Sequence, residues 1–362
     1  MKKACIRVLV CAVAVVLWVS GLSGCRITDD KDGNRSRETS ETAAASTSAP
    51  TETTKTTTVT IPETTPEATE AVFEYTWKPH VFSQIDRETI GSEAEQFFFD
   101  LVDAILAGEE SVLCADKKFR WDLDLALGTY FPPYYHVVSD LTYADGAYRI
   151  KYRVGAEERE KMLLDFARRI ETLIEWADLR EDDSPTIRAV KIYRMYSERI
   201  VYDYHAINTD AITDVSTYRG LMELQGICQS FGSAYAYLCL QAGVEAATVS
   251  GLSTENAHEW TILTLDGKYY YADPTWESGN KGRGLRYFGM TATQREWNGG
   301  YIADEYNVGY SNDFWGREIS VTDETFAPLW EAVEVTEFLE EDGVLRVVFE
   351  RADGSVGEFE FR

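Results

Sequence analysis

The dipeptide Asp266-Gly267 constrains this chain more than any other feature, because it stands between two runs with strand-like patterning, 258–265 and 268–273. An Asp-Gly pair in that setting predicts a two-residue hairpin, whose turn needs two residues of positive φ. A two-residue loop sets the register: Leu265 faces Lys268, Trp260 faces Asp273 and His258 faces Thr275. Asp273 then shares a sheet face with His258, one diagonal step away, where side chains about 7–8 Å apart can converge. A three-residue loop would carry Asp273 to the other face. Pro274 has no N–H to donate and suits a strand that ends there.

A further strand, 246–251, precedes this hairpin, and before it the stretch 226–243 reads as a helix whose inward face is Phe231, Ala234, Tyr235 and Leu238. Cys228 falls in its first turn. There the helix dipole is expected to favour a thiolate and lower the thiol pKa, and the same unpaired N–H groups can hold a developing oxyanion. Taken one at a time, a cysteine on a helix, a histidine on a strand and an aspartate before proline each fit an ordinary structural role. Taken together, Cys228, His258 and Asp273 supply a thiol nucleophile, a base and a carboxylate to orient the base, which is what acyl transfer needs at neutral pH.

Not all of the 362 residues can fold. The N-terminus carries Lys2, Lys3 and Arg7 and then an uncharged stretch, 8–24, with a strongly apolar part nearer a signal segment than a membrane span. It closes on Leu22-Ser23-Gly24-Cys25, which resembles the bacterial lipobox. The expectation is a lipoprotein signal over 1–25 with Cys25 as the lipidated residue, placing the protein at a bacterial cell membrane, facing outside the cytoplasm. From 26 to 72 Thr, Ser, Glu, Pro and Ala dominate, and such a segment cannot bury enough surface to order itself. As a coil it reaches about 40 Å, a disordered tether for the head at 73–362.

Within the head, Ser92-Glu-Ala-Glu95 reads as a capping box ahead of an apolar stripe through Phe98, Leu101, Val102 and Ile105, with Gly108 as the stop. A hairpin is expected around Asp145-Gly146, so that 73–154 forms a small α+β region. A long helix follows with Leu163, Phe166, Ala167, Ile170 and Leu173 inward, then a helix capped by Ser184 and opened by Pro185. The tail, 316–362, alternates near Val333, Leu345 and Val356 with turns at Asp342-Gly343 and Asp353-Gly354, a β-meander. The glycines of 279–284 fit either a lid or a plain connection.

A formal net charge of −26 makes nucleic acid and anionic lipid unsuitable partners for the head, so membrane contact is expected through the lipid alone. Cys228 and Cys239, on one helix, lie about 16 Å apart, too far to bridge. No cysteine or histidine spacing calls for a metal, and no cofactor is expected.

Val201-Tyr202-Asp203, Gly226-Ile-Cys228, His258-Glu-Trp260 and Asp273-Pro-Thr-Trp276 together resemble the transglutaminase-like superfamily, over about 185–290. The resemblance implies an α+β, papain-like core at 155–315, with a Cys-bearing helix packed on an antiparallel sheet that carries the histidine and aspartate. It implies Cys228 as nucleophile, His258 as base and Asp273 as orienter. The chemistry would be attack on a carboxamide or peptide carbonyl, a thioester, and transfer to water or an amine. The substrate would be a peptide or protein, in or near the cell wall, with hydrolysis slightly favoured over crosslinking. There are departures. Glu259 stands where a small residue commonly follows the histidine, and on a strand it should point away from His258. Papain has a glutamine six residues before its cysteine; here that position is Met222, and Gln225 is the alternative oxyanion donor. Trp260, Trp276 and Tyr271 fit either the lining of an acyl cleft or core packing. A second reading stays open, a surface binding module that keeps the fold without turnover.

Overall fold

Asp266 and Gly267 both adopt positive φ, 50° and 74°, and join two antiparallel strands in the expected register, with Leu265 opposite Lys268 and Thr261 opposite Ala272. The computed structural model that provides this geometry describes residues 73–362 apart from 116–119, 210, 253–256, 299–310 and 312–313. The signal segment, Cys25 and the tether expected at 1–72 lie outside the described residues. Among those described, no helix is long and apolar enough to cross a membrane.

The chain order opens with α1 (Gln84–Ile90), α2 (Ser92–Ala107), β1 (Ser111–Leu113), α3 (Arg120–Tyr130), α4 (Tyr134–Val137), β2 (Val138–Ala144) and β3 (Ala147–Tyr152). Next come α5 (Ala156–Trp176), α6 (Pro185–Ser197), β4 (Val201–Tyr202), α7 (Thr217–Met222), β5 (Gln225–Gly226) and α8 (Cys228–Gln241). The remainder is β6 (Glu245–Leu252), β7 (Ala257–Leu265), β8 (Lys268–Ala272), α9 (Pro274–Gly279), α10 (Ala292–Asn298), β9 (Glu334–Glu341), β10 (Val344–Glu350) and β11 (Val356–Phe361). This is a mixed α+β architecture with an antiparallel sheet in the order β6-β7-β8 and a C-terminal meander, β9 to β11.

Both faces of the β6-β7-β8 sheet are covered. Leu263, Tyr270 and Ala272 join α8 in the main core, which runs from Val81 to Phe361. Val249, Trp260, Ile262 and Tyr271 point the other way, into a second cluster with Ile85, Met290 and Trp315. That division is the strand period of two read directly from the sequence. Ahead of α1, the segment 73–83 lies along the far end of α8. Trp77 Nε1 donates to the Tyr237 hydroxyl at 2.8 Å, and Gln241 Nε2 to the Lys78 carbonyl at 2.7 Å.

Two local expectations change. The Ser92 capping box does not form: α1 runs almost directly into α2, with only Gly91 between them at φ 90°, and Ser92 becomes the first helical residue. Glu95 pairs instead with Arg87 at 2.7 Å. The glycine-rich stretch 279–284 is packed down. A side chain at Gly282 would collide with the backbone of Ser197 and Glu198, and one at Gly284 with the Ala332 carbonyl. The segment is a connection between α9 and the core.

Candidate active site

Cys228, the candidate nucleophile, is placed by a strand and a helix that touch main chain to main chain. β5 ends at Gly226, where any side chain would run into Ser230, and the Ile227 N–H donates back to Ser230 Oγ at 3.3 Å. α8 then starts at Cys228. One turn later Gly232 lies flat on β7: a Cβ there would sit 3.1 Å from Trp260 Cα. Thr261 Oγ1 donates to the Gly232 carbonyl at 2.7 Å. The contact fixes how far α8 slides along β7 and leaves Cys228 beside the backbone of Glu259, the residue after His258.

The thiol is 5% exposed, and the backbone N–H groups of Glu259 and Gln229 aim at its sulfur. Burial pushes the Cys228 thiol up to about 12, and the carboxylates of Glu259 and Asp273 push in the same direction. The depressed pKa expected from the helix N-terminus is therefore not what this site provides. Two N–H groups and a helix dipole are outweighed once water is removed from the sulfur. At rest Cys228 is a thiol.

His258 sits on β7 with Nε2 2.8 Å from Asp273 Oδ2. An ionised carboxylate only accepts, so Nε2 carries the hydrogen and Nδ1 keeps the lone pair. The ring lies nearly parallel to two indoles, Trp276 at 5.2 Å and 15° and Trp260 at 6.0 Å and 18°. Burial lowers its pKa below the ordinary 6.5; Asp273 opposes that shift and Arg295 adds to it. The resting pair is a neutral thiol and a neutral imidazole.

Asp273 does two jobs. β8 stops at Ala272, so the extrapolated pairings of Trp260 with Asp273 and His258 with Thr275 do not form. Asp273 instead caps α9. Its Oδ1 accepts from the Trp276 N–H at 3.1 Å, and Pro274 opens the helix. That turn brings Oδ2 to the histidine. Burial alone would raise this carboxyl, but the charges of His258 and Arg295 and the bonds from His258 and Trp276 hold it below its ordinary value. Its backbone is also held: the N–H donates to the Tyr287 carbonyl at 2.9 Å, and the carbonyl accepts from the Tyr193 hydroxyl at 3.1 Å.

The other sequence candidates are placed differently. Trp276 is half-buried over His258. Trp260 lines no cleft; it is fully buried, edge-on to Tyr271 at 5.7 Å, and forms the floor under the histidine. Gln225 lies half-buried in β5, paired with Val201. Met222 ends α7 and packs on the core. Glu259 is opposite Ser250 on the other strand face from His258, and the Ser250 hydroxyl donates to it at 3.1 Å. Burial pushes that carboxyl up to about 8.

Three residues escaped the sequence reading. Arg295 is fully buried, with Nη2 3.1 Å from Asp273 Oδ2. Glu277, one turn into α9, is fully buried and accepts from Gly284 N–H, Tyr287 N–H and the Tyr193 hydroxyl; burial pushes it up to about 7. Tyr193 bridges Glu277 and the Asp273 carbonyl. Glu277 had no clear signal, since Thr275 and Ser278 beside it leave the turn looking polar. Arg295 had none, because nothing near it in sequence pairs with it. Cys114, Cys228 and Cys239 are buried, and none is in a disulfide among the described residues. Among the described residues, no cluster of three His, Cys, Asp or Glu side chains is placed to hold a metal ion.

A cysteine at the start of a helix, packed on the strand whose histidine is bonded to a buried carboxylate, is the layout of thiol-based acyl transfer. The comparisons with known proteins fall in the same class: residues 176–274 match the transglutaminase-like superfamily, and that stretch contains Cys228, His258 and Asp273. Among solved structures, a TGase is similar at 16% identity over 38% of this chain and 43% of its own, with a TM-score of 0.29. A candidate cysteine protease from Cytophaga hutchinsonii is similar at 14% identity over 30% of this chain and 37% of its own, with a TM-score of 0.24. The chain thus spans less than half the length of either. No curated protein matches it.

Proposed function

We propose that this protein is a cysteine-dependent acyl-transfer enzyme of transglutaminase-like type, working on peptide or carboxamide bonds and tethered outside the cytoplasm through Cys25 and the segment 26–72. The observation that carries the chemistry is the 2.8 Å contact of His258 Nε2 with Asp273 Oδ2, on the strand against which the helix that starts at Cys228 is packed. In the first half-reaction His258 Nδ1 takes the Cys228 proton as sulfur attacks the carbonyl carbon. The oxyanion forms where the unpaired N–H groups of the first turn of α8 can reach it. The amine leaves with the proton returned by the imidazolium, and an acyl-thioester remains on Cys228. In the second half-reaction water, or an amine, gives its proton to Nδ1 and attacks the thioester; Cys228 is restored. Water is favoured as acceptor because it is always present. The head's negative charge supports a substrate that is not itself an anionic polymer, such as a peptide in or near the cell wall.

The test uses the full chain and p-nitrophenyl acetate as acyl donor, followed by intact-mass and peptide mass spectrometry. A single acetyl group on Cys228, removed by hydroxylamine and absent in Cys228→Ala and His258→Ala, supports the reading. No acylation above that of His258→Ala contradicts it and leaves the fold as a binding module.

A further inference from the structure

The slot that holds His258 also holds a cation. Arg295, on α10, is fully buried, and its guanidinium carbon lies 3.3 Å from the Trp276 ring centre and 4.5 Å from that of Trp260. His258 stacks on the same two indoles. Imidazole and guanidinium therefore pack on the same two indoles, and both end on the same oxygen. His258 Nε2 is 2.8 Å and Arg295 Nη2 3.1 Å from Asp273 Oδ2. Burying an arginine costs several kcal/mol unless it is paired. Here the offset comes from one carboxylate and two indole faces, whose quadrupoles attract a cation. The carboxylate is in turn gripped by His258 and Arg295 at Oδ2 and by the Trp276 N–H at Oδ1.

We propose that Arg295 is the positioning residue of this site: it keeps Asp273 ionised with Oδ2 aimed at Nε2 of His258, so that Nδ1 is the nitrogen left to take the Cys228 proton. The proposal rests on the reading of Cys228 and His258 as an acid–base pair, and adds the group that orients the orienter. Without Arg295 the carboxylate has room to turn, and the imidazole can rotate or change tautomer. Arg295 also acts through its charge. The groups whose charges act on His258 are Asp273 from the start of α9 and Arg295 from α10; Glu259, next to it on β7, lies on the other strand face. Of these only Arg295 is a cation, and it opposes formation of the imidazolium.

The experiment labels the imidazole nitrogens of the full chain and follows the four histidines by NMR against pH, with His258 assigned by substitution. Iodoacetamide alkylation of Cys228 is measured in parallel. Wild type is expected to show Nε2–H and a bare Nδ1. Arg295→Met, and Arg295→Gln as the milder removal of charge, are expected to raise the His258 midpoint by about one pH unit. They are also expected to mix the tautomers and to slow alkylation at pH 7 about tenfold. Arg295→Lys, which keeps the charge, is expected to hold the midpoint close to wild type and recover part of the rate. An unchanged midpoint and tautomer in a folded Met or Gln variant would overturn the proposal, and so would a Lys variant that behaves like Met. If Met does not fold, Gln decides by the same two readouts. Failure of the underlying reading looks different: wild-type alkylation would then be indifferent to His258→Ala, whatever Arg295 does to the imidazole.

Discussion

Gly232 rests its α-carbon against the backbone of Trp260, and Thr261 clamps the pair by donating to the Gly232 carbonyl at 2.7 Å. This one contact ties the helix that carries Cys228 to the strand that carries His258. Gly232→Val should drive α8 off β7, because branching at Cβ adds atoms where even one carbon sits at 3.1 Å. The expected cost is about 1–3 kcal/mol of stability, with a loss of acylation at Cys228 of at least about 100-fold. Urea unfolding and the p-nitrophenyl acetate assay check the two effects separately. A variant that is less stable but acylates normally would show that the contact does not set the site.

The neutral resting pair predicts a broad pH profile. His258 must be unprotonated to accept the thiol proton, and burial lowers its pKa below 6.5. Acylation should thus be half-maximal below pH 6.5. On the alkaline side Cys228 titrates near 12, so no new limb should appear up to pH 9. A thiolate–imidazolium pair would instead titrate as a depressed thiol. Initial rates across pH 4.5–9 separate the two patterns.

Glu259 predicts a stability effect of opposite sign. Its folded-state pKa, about 8, is above the ordinary 4.5, so the folded state holds a proton that the unfolded state releases. Its contribution is fully present below pH 4.5 and is lost as pH rises to about 8. Glu259→Gln cannot release that proton. The variant should gain on wild type between pH 5 and pH 8.5, by roughly 5 °C in Tm. Thermal unfolding at the two pH values tests this; an equal Tm difference at both would contradict it.

The C-terminal meander is fastened to α6 by buried charge. Lys191 is 4% exposed and pairs with Asp183 at 2.8 Å and with Glu340 of β9. Lys191→Met strands the buried Asp183 carboxylate, while Glu340 keeps Arg180 at 3.1 Å, and should cost about 3–5 kcal/mol. Replacing all three by apolar residues should recover most of it, since a buried ion pair is often no better than good packing. Denaturant midpoints of the single and triple variants decide.

How much of this was legible follows from the range of the interactions. The Asp266-Gly267 turn, the strand parity and the place of Cys228 in the first turn of α8 depend on neighbours in sequence, and the sequence reading of each agrees with the geometry, although the helix starts at Cys228 and not at Gly226. Asp273 is near His258 for a reason only half visible: the register brings it close, but its role as cap of α9 aims it. Ser92 was misread because the helix before it supplies what a capping box would have supplied. The thiol pKa was misread because burial is a tertiary property and outweighs a dipole that the sequence can reveal. Trp260 reads as a possible cleft residue until the second core cluster closes over it. Arg295 could not be read at all, because its partners stand 19 to 37 residues away and none predicts a cation.

The most direct test is the alkylation rate of Cys228 in the full chain from pH 5 to pH 10, in wild type and His258→Ala. The account predicts a wild-type rate that rises with a midpoint below pH 6.5 and then stays level through neutrality. In His258→Ala it predicts a slow rate that climbs steadily toward alkaline pH, as for an unassisted buried thiol. Two profiles that coincide would mean that His258 does not take the proton of Cys228, and the acyl-transfer account would be wrong.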